Sequence, residues 1–125
     1  MKFLILIYSN PASRHVWDDL SDAERSAGLQ QYAALTNDLN ESGEMIVSEA
    51  LASASRARRV LVRDGHTITS DGPYAELKEH LAGFYLVECP TIERAIEHAS
   101  RIPEAAYGLV EVWPVIGLDE LASER

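Results

Sequence analysis

Three carboxylates stand where a proton-transfer site could use them. Asp71 precedes Gly72-Pro73-Tyr74, and a loop held rigid by glycine and proline is where functional side chains tend to sit. Glu111 lies between Val110 and Val112, and Glu88 follows Val87, each in an apolar run that reads as a strand. If the valines face a core, alternation turns Glu111 to the opposite side together with Leu109 and Trp113. Enclosing those carboxylates would strip them of water and disfavour the charged form, which suits a general acid or base working near neutrality. Tyr74, Lys78 and Tyr85 offer donors to an anionic or phenolic ligand. Tyr8, Glu49 and Arg59 join them at strand ends that converge on one cavity. Each also has a plain structural role open to it. Asp71 can accept backbone N–H bonds in a turn leading into a helix, Lys78 can point outward from that helix, and the glutamates can pair with arginines at a rim.

Other chemistries find little support. His66 in a hairpin and His98 on the polar side of a helix read as solvated, and Glu76 with His80, four apart, makes only two ligands, too few for a metal site. No metal and no cofactor is expected. Cys89, the only cysteine, follows an apolar strand and precedes Pro90; it reads as a buried, inert thiol in a reducing compartment. There is no glycine-rich phosphate loop and no nucleophile elbow.

Twenty acidic residues against 11 Lys and Arg give the chain a net charge of -9. That field repels phosphate backbones and anionic membrane surfaces, so neither nucleic acid nor membrane is an expected partner. The basic run Arg56-Ala57-Arg58-Arg59 reads as solvated loop charge. Phe3 to Ile7 is far shorter than the roughly 20 apolar residues that span a bilayer, and it lacks the cleavage site of a signal peptide. A cytoplasmic protein is the expectation.

The elements that must position these residues follow from periodicity. Residues 2 to 8 are apolar without alternation, so the sequence predicts a central strand buried on both faces. Asn10-Pro11-Ala12-Ser13 reads as a break. Ser21 with Glu24 is a capping box opening a helix to about Ser42, stopped by Gly43, with Gly28, Tyr32, Leu35 and Leu39 as its packing stripe. Residues 44 to 51 read as a strand, 59 to 69 as a hairpin turning at Asp64-Gly65, and Tyr74 to His80 as a short helix. Phe84 to Cys89 is a further strand. Thr91 caps a helix whose stripe is Ile92, Ala95, Ile96, Ala99 and Ile102, closed by Pro103, and Leu109 to Val115 is the last strand.

This order predicts one α+β domain over residues 1 to 116 with a tail over 117 to 125, the length of 125 residues being enough for one core. The fold is ferredoxin-like: a mainly antiparallel sheet with two helices on one face. A central strand apolar on both sides then leaves a greasy open face, and a patch of that kind marks an interaction site. A homodimer, sheet against sheet, is the expectation.

Asp71-Gly72-Pro73-Tyr74, followed by Glu76, Lys78, Glu79 and Gly83-Phe84-Tyr85-Leu86, resembles the YCII-related, or DGPF-domain, family. The opening Met1 to Tyr8, the Asp64-Gly65 turn and the ending Tyr107-Gly108 with Val110-Glu111-Val112 and Pro114-Val115 are similar to it as well. The resemblance covers nearly the whole chain and implies a dimeric α+β barrel. Tyr74 stands where that family has Phe, and Trp113 where it often has an arginine. The wider superfamily holds members with a proposed catalytic His and Asp pair, among them a dehydrochlorinase of aromatic degradation; that histidine has no placed counterpart here. Some members are encoded beside extracytoplasmic-function sigma factors, which implies a regulatory context.

The resulting expectation is a dimer cavity binding a small, partly apolar molecule. Its chemistry would be cofactor-free isomerisation or elimination, with Asp71, Glu111 or Glu88 as base. The alternatives are a non-catalytic sensor or partner-binding module and a small interaction domain without a ligand.

Overall fold

Strand β1 (Lys2–Ser9) runs through the middle of a four-stranded antiparallel sheet. The computed structural model describes residues 1–73 and 78–125. After β1 come α1 (Pro11–Asp19), α2 (Asp22–Ser42), β2 (Met45–Ala50), β3 (Arg58–Arg63), β4 (His66–Asp71), β5 (His80–Glu88), α3 (Ile92–Ala99), β6 (Val110–Val115) and α4 (Leu121–Glu124). The main sheet has the order β2-β5-β1-β6, while β3 and β4 form a separate two-stranded sheet. Without that hairpin the chain reads βαββαβ with its first and third strands central, the ferredoxin-like arrangement expected from the sequence.

Alternation sorts the sheet into two faces. Phe3, Ile5 and Ile7 of β1 and Tyr85 and Val87 of β5 are buried with Leu35 and Leu39 of α2 and Ala95 and Ala99 of α3 in one core. Leu4 and Leu6 point the other way and are only partly covered. The α2 boundaries follow the reading from its caps: Ser21 and Glu24 exchange side-chain and backbone bonds, and Gly43 ends the helix at φ 78°, where L-residues with a Cβ are strained.

The structure departs from expectation at several places. The strand breaks at Asn10-Pro11 as read, but residues 11–19 then add a helix absent from the expected order, because Asn10 and Ser13 form a second capping box and Pro11 takes the first turn, where its missing N–H costs nothing. In α3, His98 is buried at 4% exposure while Ile96 is 49% exposed. The core side is therefore Ala95, His98, Ala99 and Ile102, with His98 Nε2 3.1 Å from a Glu44 carboxylate oxygen. Leu109, expected on the open face, precedes β6 and is 2% exposed. The short helix expected from Tyr74 to His80 lies in part outside the described residues. Its end is not helical, since His80 already pairs with Ser9 at the start of β5.

The hairpin turn is as read: Asp64 and Gly65 both have positive φ, 50° and 77°, the type I′ signature. Gly83 of β5 lies where a Cβ would come within 3.0 Å of the Glu49 carbonyl oxygen on β2.

Leu39 is completely buried. Leu39→Ala should cost about 2–5 kcal/mol, seen as a lower urea midpoint with an unchanged slope.

Candidate functional site

The helix-free sheet face gathers part of the expected set. Opposed residues share a face, so the pairings Leu4 with Trp113 and Leu86, Leu6 with Glu111 and Phe84, and Glu49 with Phe84 place all of these on one surface. Glu111 and Glu49 are the polar members of this set, and the same parity adds Tyr8 at one end of β1 and Lys2 with Glu88 at the other. The Trp113 indole N–H donates to Glu111 Oε1 at 3.2 Å. The Tyr8 phenol is pushed up from its ordinary value first by burial, then by the Glu111 carboxylate beside it, with Glu79 adding a smaller repulsion. Donor, carboxylate and aromatic ring thus meet at the end of β1 and β6.

Other expected members lie elsewhere. Tyr85 points into the helix layer, 5% exposed, its hydroxyl 3.3 Å from Thr36 Oγ1; strand parity puts it opposite Phe84, so it is not a donor to the open face. Asp71 closes β4, and its carboxylate faces Arg58 at 3.5 Å in solvent. Arg59 belongs to β3, opposite Ser70, on the same exposed hairpin. Glu88 is the exception: opposite Lys2 it keeps the open-face parity, at the strand end, with Oε1 3.1 Å from the N-terminal ammonium. Lys78 is exposed, and Tyr74 lies outside the described residues.

A second constellation was not read from the sequence. Between α1, α2 and the turn Pro103–Tyr107 lies a cavity of about 260 Å³ walled by Trp17, Leu20, Tyr32 and Tyr107, with Arg14 and Glu104 as its charged groups. The Tyr32 hydroxyl donates to Glu104 Oε1. Its phenol is raised well above the ordinary value, chiefly by burial and then by that carboxylate. Tyr32 packs against the core as its place in the helix stripe predicts, and its hydroxyl reaches this cavity as well. Its partner is 72 positions away, so no local spacing could reveal the pair.

Beneath the sheet's other end, Glu44 collects charge. Its carboxylate accepts from Arg94 Nε at 3.2 Å and Nη2 at 3.1 Å and from Ser42 Oγ at 2.8 Å. His98 Nε2 lies 3.1 Å away. The Arg94 bonds hold the Glu44 carboxyl down at about 2, against the opposing effect of burial. Burial, then the Glu44 carboxylate, push the Cys89 thiol up to about 11, so the thiol is protonated near neutrality and the inert reading of Cys89 has a physical cause.

Fold and site together define a small two-layer α+β protein with an acid-bearing apolar sheet face. Residues 1–119 match the YCII-related domain, and the chain belongs to that family. A relative in Rhizobium meliloti (strain 1021), an uncharacterised protein, is 29% identical over 117 residues, 92% of each chain. Among solved structures, a similar one is 5-chloro-2-hydroxyhydroquinone dehydrochlorinase (TftG) from Burkholderia phenoliruptrix AC1100 in complex with 2,5-dihydroxybenzoquinone. It is 17% identical, covers 96% of this chain and 98% of its own, and has a TM-score of 0.49.

The depressed Glu44 carboxyl sets an acid limit. A group whose folded value lies below its unfolded value of 4.5 stabilises the fold above that pH and loses the contribution as pH falls towards about 2. Stability followed by urea unfolding should drop between pH 4.5 and 2. In Glu44→Gln the drop should be shallower, from a starting point lower by about 2 kcal/mol.

Proposed function

We propose that the chain works as a homodimer whose two helix-free sheet faces close around a small, partly apolar molecule. The observation that carries this reading is the open face itself, apolar across Leu4, Leu6, Phe84, Leu86 and Trp113 yet holding Tyr8 and Glu111 in contact. A patch of that kind marks an interaction surface. The hairpin adds support: β3 and β4 are exposed along their whole length, with Val60 at 68% and Val62 at 64%. An isolated two-stranded hairpin is marginal in water, and a second copy would cover it.

The chemistry that suits this surface is cofactor-free proton transfer, an isomerisation or elimination, with Glu111 as base and Tyr8 as donor. A cytoplasmic setting suits the single buried thiol. No helix among the described residues is long and apolar enough to cross a membrane. Sedimentation should show a dimer at micromolar concentration and a monomer for Leu6→Glu; a stable wild-type monomer overturns the proposal. Aromatic acids and phenols screened by thermal shift should include one that raises Tm. For a substrate found this way, Glu111→Gln should cost about a hundredfold in turnover. Full turnover in that variant would remove the acid–base role, and binding without turnover would identify a sensor.

The cavity beside α1 favours a second reading, in which the ligand sits within each protomer and Tyr32 with Glu104 moves the proton. Tyr32→Phe would then abolish the ligand-induced rise in Tm while Leu6→Glu leaves it unchanged. The dimer-cavity reading expects the reverse.

A further inference from the structure

Glu44, Cys89 and His98 come from three separate places: the residue before β2, the residue after β5 and the last turn of α3. Their side chains meet on the helix side of the sheet, away from the open face. The nearest carboxylate oxygen, Cys89 Sγ and a His98 ring nitrogen all lie within 4.8 Å of one another. Cys89 is 2% and His98 4% exposed, and the Glu44 side chain is 12% exposed.

His98 Nε2 is the telling atom. It is buried, and although Glu44 Oε1 is 3.1 Å away, no group meets it in hydrogen-bond geometry. A buried polar atom left unmet is costly, and a neutral imidazole nitrogen is among the commonest metal ligands. We propose that Glu44, Cys89 and His98 form a binding site for a borderline-soft divalent cation, zinc above all.

The donor set is one thiolate, one imidazole and one carboxylate, the mixture zinc accepts. Metal–ligand lengths of about 2.0–2.3 Å in a tetrahedron require ligand atoms about 3.3–3.7 Å apart. Closing from 4.8 Å or less therefore takes side-chain shifts of about 1 Å. Arg94 and Ser42 already orient the carboxylate, as supporting groups do around metal ligands. The Arg94 guanidinium also repels a cation, so the site is a modest binder and not a zinc-finger-like one. On binding, the metal–sulfur bond replaces the S–H bond and the proton leaves to solvent. The bound ion would tie β2, β5 and α3 together.

Cobalt(II) titration of the full-length, chelator-treated protein is the direct test. One equivalent should bind per chain, with a sulfur-to-cobalt charge-transfer band, and zinc should displace it and raise Tm. Cys89→Ser should lose the band. His98→Gln should weaken binding at least about tenfold, while His15→Gln combined with His66→Gln should leave it unchanged. Absence of the band in the wild type, or undiminished affinity in His98→Gln, overturns the site. Should the variants unfold, X-ray absorption of the zinc-loaded wild type decides. One sulfur in the zinc shell supports the proposal, and a shell of oxygen and nitrogen alone refutes it.

Discussion

Everything in this molecule depends on one strand being apolar on both sides. β1 gives Phe3, Ile5 and Ile7 to the helices and Leu4 and Leu6 to the opposite face. The first set is buried completely enough to hold two layers together. The second is only partly shielded, because a two-layer domain has nothing more to put over it. Covering one face is folding; the other is left open within a single chain, and Tyr8, Glu111 and Trp113 sit along it.

The electrostatics divide along the same line. On the helix side, Glu44 is tied to Arg94 and held ionised, which fastens α3 to the start of β2. On the open side, Glu111 meets a phenol and an indole but no cation among the contacts seen. A carboxylate clamped by a guanidinium has largely lost its capacity to accept a proton.

Local signals carried most of the fold. The capping box at Ser21, the left-handed stop at Gly43 and the Asp64-Gly65 turn each involve neighbours in sequence, and backbone geometry follows from residue type there. Asn10 and Ser13 are a signal of the same kind that Pro11 obscured. What could not be read was pairing over distance. His98 looks like a polar-face residue until Glu44, 54 positions earlier, is known to lie beside it, and Ile96 looks like core until the helix is seen to turn His98 inward in its place. The candidate site divides likewise: parity along β6 turns Glu111 and Trp113 to the open face, whereas Tyr85, one position from Phe84, falls on the helix side. Asp71 was judged by its turn motif when the strand before it extended further.

Gly83 has a consequence beyond its size. With no side chain there, β2 approaches β5 closely at Glu49, while at the other end of the same pairing an irregularity between Met45 and Val47 takes up an extra residue. A strand anchored by a notch at one end and a bulge at the other cannot slide by one position, and such a slide would turn every β2 side chain over. The missing methyl group thus acts as a phase lock, keeping the Glu49 carboxylate on the face where Glu111 lies.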